Sequence, residues 1–497
     1  MKKYFLLFLM AIFAVSCSKK VEVKGKISGA NPLERLEIIE SSGVGTLPLV
    51  NLGLSNNGEF SGSFDAPKNG MYVISFAGKT NMIYLKKGQL LQLSGDAQNF
   101  PVELTITGDA KANNDFLKEA QKGFETYASK IQMNELIQKK EKDFIANFDK
   151  IKDDIYKLIE DNAKKFNATD DALQYKKEES LARLLGLLDG YEENHAMATA
   201  NPKFKVSEDF KKLKKKLRKY NNRLIRNYPM YREYQLNKLN PDFQKYVATL
   251  PQNPKEQPLL SEVFGNYLKT RKDLSSTEKN YFYAYVLAQS DLNFMNVKHY
   301  DKIGKLIDEN ITNSEIKKDL KALQEVLMGY KAGTKPNLSV MNKEGKSLSL
   351  SSLKGKPTLV LFYASWNPNV AMTTVPVLKE VTDFYKDQLN YAYVNLDDTN
   401  EQFLKTSNAL LKGFAGTQYW VKGGINANAA KAFGLYGFKL PSYIILDKDG
   451  KLYGRPYFNL GDPELVEALS KLSGVAAPKP APAPEIPQMI VPDAPKK

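Results

Sequence analysis

The period of the hydrophobic pattern changes twice along this 497-residue chain, and each change marks a different kind of backbone packing. From about residue 21 to 110, apolar residues alternate with polar ones: Val21, Val23 and Ile27, then Leu36 and Ile38, then Tyr72, Ile74 and Phe76. A period of two puts one face of a strand in a core and the other in water. Asn57-Gly58 reads as a tight turn, with Phe60, Gly62 and Phe64 alternating after it. Leu85, Leu91 and Leu93 flank a second turn at Lys87-Gly88. Together these predict a small antiparallel β sandwich or barrel over residues 18–110.

Over residues 111–332 the period becomes helical and the composition shifts to Lys, Glu, Leu and Ala. Ser275-Ser276-Thr277-Glu278 has capping-box spacing and opens a segment rich in Tyr, Phe, Ala and Leu. Leu181, Leu184, Leu185 and Leu188 share one face of a short helix, and Phe210, Leu213, Leu217, Tyr220 and Leu224 run down another. Pro251, Pro254 and Pro258 mark an exposed break. The region predicts an array of about six to eight helices.

Over 333–474 strands alternate with helices. Thr358 to Tyr363 is a continuous apolar run of the kind buried on both faces of a sheet. Ser442 to Leu446 is another, closed by the turn Asp447-Lys448-Asp449-Gly450. From residue 475 the chain is Ala- and Pro-rich, with seven prolines between Pro478 and Pro495, a composition that forms no core and predicts a disordered tail. The fold class is therefore multidomain: a β domain, an α-helical middle and a C-terminal α/β domain.

The single cysteine, Cys17, closes a basic and apolar leader made of Lys2, Lys3 and the run Tyr4 to Val15. That run has the length of a signal-peptide core and is too short for a membrane span. Ala14-Val15-Ser16-Cys17 resembles a bacterial lipobox, which predicts residues 1–17 as a lipoprotein signal peptide with Cys17 acylated. Acyl chains contribute about 0.8 kcal/mol per buried methylene, so several on one cysteine anchor firmly. Ser18 after the cysteine favours the outer membrane, facing the periplasm. The net charge of +15 falls by two when the leader is removed with Lys2 and Lys3.

The C-terminal third carries a connected set of motifs. Pro336-Asn337-Leu338 is followed by the hairpin signal Asn342 to Lys346, then by Leu350 to Pro357 and the strand ending Phe362-Tyr363-Ala364-Ser365-Trp366. Pro376 stands one helix later, and Leu440-Pro441-Ser442-Tyr443 follows downstream. Over about residues 333–474 this set resembles the membrane-associated thioredoxin-like family of the TlpA and ResA type. The β-rich region resembles a domain of unknown function that often precedes thioredoxin-like domains in bacterial lipoproteins.

The resemblance implies a thiol-disulfide oxidoreductase fold with Trp-Cys-Pro-x-Cys after the central strand. Here the motif reads Trp366-Asn367-Pro368-Asn369-Val370. Disulfide exchange needs an attacking thiolate and a resolving thiol, and Asn367 and Val370 supply neither. No catalytic residue is therefore assigned. The resemblance implies a cis peptide at Pro441 and, at Leu440, backbone groups that pair with an extended substrate. Trp366, Asn367, Pro368, Asn369, Val370, Leu440 and Pro441 are the candidate peptide-binding surface.

Other chemistry is sparse. His195 and His299 share no metal-ligand spacing, Asp397-Asp398 falls at a strand end where adjacent carboxylates usually mark a solvated loop, and no phosphate loop or nucleophile elbow is present. No metal or cofactor is assigned. The cations from Lys211 to Arg226 form the densest charge cluster and would suit an anionic surface, with nucleic acid excluded outside the cytoplasm. The sequence thus predicts a lipid-anchored envelope protein whose thioredoxin-like domain is a redox-inactive scaffold or chaperone-like module, holding an envelope protein or extended peptide. The alternatives are a lipoprotein that captures glycan or peptide ligands, and a thioredoxin-family enzyme with non-thiol chemistry.

Overall fold

The computed structural model describes residues 20–44, 47–251, 257–385, 387–437 and 439–476. The leader with Cys17, Pro254 and the tail beyond residue 476 lie outside the described residues.

Eight strands come first among the described residues: β1 (Lys20–Ser28), β2 (Arg35–Glu40), β3 (Val50–Gly53), β4 (Glu59–Asp65), β5 (Gly70–Phe76), β6 (Lys79–Leu85), β7 (Leu90–Asp96) and β8 (Thr105–Gly108). They form two four-stranded sheets, ordered β4-β1-β7-β8 and β3-β2-β5-β6. Val21, Val23 and Ile27 from one sheet and Leu36, Ile38 and Ile74 from the other meet in a single core, as the alternation predicts. Both predicted turns are present, with Gly58 and Gly88 at φ 81° and 77°. Each joins strands of different sheets, so neither closes a hairpin. The pairings are antiparallel except for β1 with β7, which run parallel.

Twelve α-helices follow among the described residues between Lys111 and Met328, more than the six to eight predicted. The excess comes from interruptions that hydrophobic spacing does not record. The stripe from Phe210 to Leu224 spans a helix (Glu208–Leu217), a 3₁₀ turn (Arg218–Tyr220) and a second helix (Asn221–Asn227). The leucines at 181–188 belong instead to a long helix, Asp170–Ala198. The capping box at Ser275 and Glu278 forms in full.

The C-terminal region contains β9 (Ser339–Asn342), β10 (Ser347–Ser349), β11 (Thr358–Tyr363), β12 (Asn390–Asn395), β13 (Thr417–Trp420), β14 (Ser442–Leu446) and β15 (Leu452–Tyr457). Their order in one sheet is β10-β9-β13-β12-β11-β14-β15, with β11, β12 and β13 parallel. Every residue of β11 is buried. Leu359, Leu361 and Tyr363 face a core covered by the helices Val375–Phe384 and Pro463–Ser473, while Val360 and Phe362 face the opposite core.

That second core is continuous with the helical region. Phe433 lies 6.0 Å from Phe362 and 6.2 Å from Tyr330, ring centroid to centroid. Gly434, at φ 88°, brings two helix ends together: a Cβ there would stand 2.3 Å from the Val326 carbonyl oxygen. The same core reaches Met71 and Tyr84 of the β sandwich. The three regions are therefore packed on one another, which fixes how the β strands approach the loops of the C-terminal sheet.

Candidate functional site: the loop after the central strand

β11 ends at Tyr363, and the chain turns out of the sheet through Ala364 to Val370. Asn367 N–H donates to the Ala364 carbonyl at 3.2 Å, and Val370 N–H to the Asn367 carbonyl at 3.2 Å. Both ends of the Asn367 amide are used. Its Oδ1 accepts from the Asn369 N–H at 3.0 Å, and its Nδ2 donates to the carbonyl of Leu440. The Leu440-Pro441 peptide is cis, as the resemblance implies. Val370 is 1% exposed and packs in the core with Leu378 and Tyr443. The two positions that would hold sulfur thus hold a bridging amide and a core methyl pair. Pro368 and Asn369 are exposed, and Leu440 and Pro441 are half-buried.

The acidic pair is not a solvated loop. Asp397 is fully buried and accepts four hydrogen bonds: from the Ser365 N–H at 2.7 Å, the Ser365 hydroxyl at 2.9 Å, Asn395 Nδ2 at 2.9 Å and the Thr406 hydroxyl at 3.0 Å. A buried carboxylate so satisfied is a structural anchor for the loop. Asp398 faces the β sandwich, where Arg35 of β2 grips it with both terminal nitrogens, at 2.9 and 3.0 Å. The Arg35 side chain is 7% exposed and its guanidinium lies 4.7 Å from the centre of the Trp366 ring.

This contact is built by register. Arg35 stands opposite Gly53, and Glu37 opposite Asn51, in the antiparallel β2–β3 pair. Asn51 accepts from Arg35 Nε at its side chain and from Arg35 Nη2 at its backbone carbonyl, the latter at 2.9 Å. Its own amide nitrogen donates to Glu37, whose carboxyl burial pushes upward while Asn51 and Arg35 pull it down. Asn426 closes the contact from the C-terminal side by donating to the Asn51 carbonyl. At position 53 a Cβ would stand 2.3 Å from Asp398 Oδ2 and 2.8 Å from Arg35 Nη1, so only glycine leaves room for the pair.

Residues 355–452 match the family model described as thioredoxin-like. The C-terminal domain is a thioredoxin-like domain. Among curated proteins, this chain is similar to the thiol-disulfide oxidoreductase ResA of Bacillus thuringiensis (strain Al Hakam), 29% identical over 120 residues. It has the same identity to ResA of Bacillus anthracis. Each alignment covers 24% of this chain and 64% of the relative, so the chain spans less than two thirds of the relatives' length. Solved structures similar to the thioredoxin-like domain include a thiol-disulfide oxidoreductase of Bacteroides fragilis (22% identity, 28% of this chain and 99% of that chain, TM-score 0.24). The thioredoxin domain of a thiol-disulfide oxidoreductase of Bacteroides vulgatus is another (20% identity, 29% and 99% coverage, TM-score 0.25).

Within the thioredoxin-like domain, the structure brings the predicted residues Trp366, Asn367, Val370, Leu440 and Pro441 to one place, joined through the Asn367 amide. Sequence reasoning missed Arg35, Asn51, Gly53 and Asn426. The β2 alternation marks Arg35 and Glu37 as outward-facing, and nothing in that pattern distinguishes water from another domain. His195 is buried, with Nδ1 2.7 Å from the Ile137 carbonyl and its ring beside Phe204. Among the described residues no cluster of three or more His, Cys, Asp or Glu side chains is placed to hold a metal ion.

Proposed function

We propose that this protein is a lipid-anchored component of the cell envelope whose thioredoxin-like domain is a redox-inactive scaffold that binds another envelope protein or an extended peptide. The observation that carries the reading is the use made of the two sulfur positions: the Asn367 amide ties the loop to Leu440, and Val370 fills the core. Thiol exchange has no attacking or resolving group there, and Cys17, at the far end of the chain, serves the anchor in this reading. The Leu440 carbonyl already accepts from Asn367, and Arg35 covers one side of Trp366, so strand addition at Leu440 has a competitor built into the fold. The surface left open is the edge formed by Pro368 and Asn369, continued by Met372, 75% exposed, and Val377, 43% exposed, on the following helical turns. An exposed apolar row beside a rigid loop suits a protein partner.

The test is site-specific photo-crosslinking in intact cells from positions 369 and 377, with Met372→Asp as the surface control. A discrete adduct that Met372→Asp abolishes supports the scaffold reading. Absence of any adduct from both positions refutes it. Metabolic labelling with a radioactive fatty acid, lost in Cys17→Ser, tests the anchor separately.

A further inference from the structure

A cavity of about 430 Å³ opens between the helix Asp170–Ala198, the helix Pro229–Asn237 and β6. Tyr175, Tyr228, Tyr231 and Tyr234 line it with Met82 and Met230. Tyr175 and Tyr228 stack with ring centroids 4.7 Å apart, and the Tyr228 hydroxyl donates to the Tyr175 carbonyl, which ties one wall together and satisfies that hydroxyl. Met230 stands 80% exposed at the rim. Size and lining are those of a site for the apolar body of a small molecule, with methionine as an adaptable edge.

The charge around the cavity has one sign in excess. Among the described residues Glu179 is its one lining carboxylate, and it is held by two cations, Lys176 at 2.7 Å and Arg183 at 2.8 Å. Arg183 itself lines the opening and is 47% exposed. Burial raises the phenol groups of Tyr231 and Tyr234 and Asp189 adds to it, with Arg218 opposing. Of the basic run Lys211 to Arg226, Lys214 and Arg223 are taken by Asp189 and Glu178, whereas Arg218 is exposed and makes no ion pair among the described residues.

We propose that this cavity binds a single-chain anionic amphiphile, a hydrocarbon chain ending in a carboxylate or phosphate, with the chain among the tyrosines and the head on Arg183 at the opening. A cationic amphiphile finds the only lining carboxylate already neutralised. The site lies in the helical region and does not depend on the role of the thioredoxin-like domain.

Calorimetric titration of the full chain with dodecanoate, tetradecanoate, dodecyl phosphate and dodecylamine, each below its micellar concentration, tests the proposal. The acids and the phosphate should bind at one site, each added methylene tightening binding about fourfold. Dodecylamine should bind at least tenfold more weakly, and inorganic phosphate alone should not bind. Gly186 lines the cavity, and a Cβ placed on it meets nothing within 4 Å. Gly186→Leu should therefore enter the cavity while favouring the helix, reducing acid binding at least tenfold without lowering the melting temperature. Arg183→Gln should weaken binding about threefold at low salt and leave the chain-length dependence unchanged. No saturable binding of the acids, an amine bound as tightly as the acid, or unchanged affinity in Gly186→Leu would each overturn it.

Discussion

Arg35 of the β sandwich lies over the Trp366 ring of the thioredoxin-like domain while its two terminal nitrogens hold Asp398, so one side chain covers the aromatic residue of the degenerate motif and locks the loop beside it. The pair is largely withdrawn from water, with side-chain exposures of 7% for Arg35 and 27% for Asp398. Removing one partner of such a pair leaves the other uncompensated. Arg35→Ala should cost about 2–3 kcal/mol in urea unfolding. Gly53→Ala should lose about 1–3 kcal/mol through overpacking alone. Hydrogen exchange should show lost protection in β3 and around Asn426 in both variants. Unchanged protection there would mean that the contact does not hold the domains together.

Among the described residues, Arg232 is a buried cation with no carboxylate in ion-pair distance, and its Nη2 donates to the Gly43 carbonyl at 3.5 Å. It is 3% exposed, its guanidinium lies 5.1 Å from the centre of the Tyr281 ring, and its Nε and Nη1 have no hydrogen-bond partner among the described residues. Burial holds its basicity below the usual arginine range. Arg232→Met keeps the length of the side chain and removes the desolvated charge, so it should raise stability by about 1–2 kcal/mol. A loss of stability on thermal or urea unfolding would show that the cation is compensated.

Asp319, on the helix Ser314–Met328, titrates at about 6, raised first by burial and then by Glu40, with Lys68 opposing. The folded state therefore holds a proton that the unfolded chain has released between pH 4 and 6. Stability should fall as pH rises through that window and level off above it. After discounting for its partial exposure, the ionised group costs about 1 kcal/mol at pH 7. Asp319→Asn should be more stable than wild type by that amount at pH 7 and equal to it at pH 3.5. An unchanged difference at the two pH values would exclude Asp319 as the source.

The double change Asn367→Cys and Val370→Cys returns sulfur to both positions of the motif. The pair should form an intramolecular disulfide under mild oxidation, detected by thiol titration and mass. The loss of the buried Val370 methyl should cost about 1 kcal/mol. Failure to oxidise would mean that the loop no longer holds the two positions in bonding geometry.

Much of the framework was legible because short-range physics dictates it. The six residues of β11, apolar except for Thr358, read as a strand buried on both faces, and Ser275 with Glu278 read as a helix cap. Helix count was misread because apolar spacing continues across a 3₁₀ turn such as Arg218–Tyr220. Asp397 read as a solvated loop residue because adjacent acids usually are. What buries it is hydrogen bonding from Ser365 and Thr406, which come from separate loops and helices.

The sequence by itself determined three regions of distinct periodicity, a thioredoxin-like C-terminal domain and the absence of sulfur from its motif. Those follow from side-chain period, turn chemistry and residue identity, all local properties of the chain. Only the tertiary structure decided that Asn367 bridges to Leu440, that Arg35 closes over Trp366, and that Gly53 leaves the space for Arg35 and Asp398 to meet. These are contacts between residues far apart in the chain, and they exist because a shared core holds the β sandwich, the helices and the C-terminal sheet at fixed positions relative to one another.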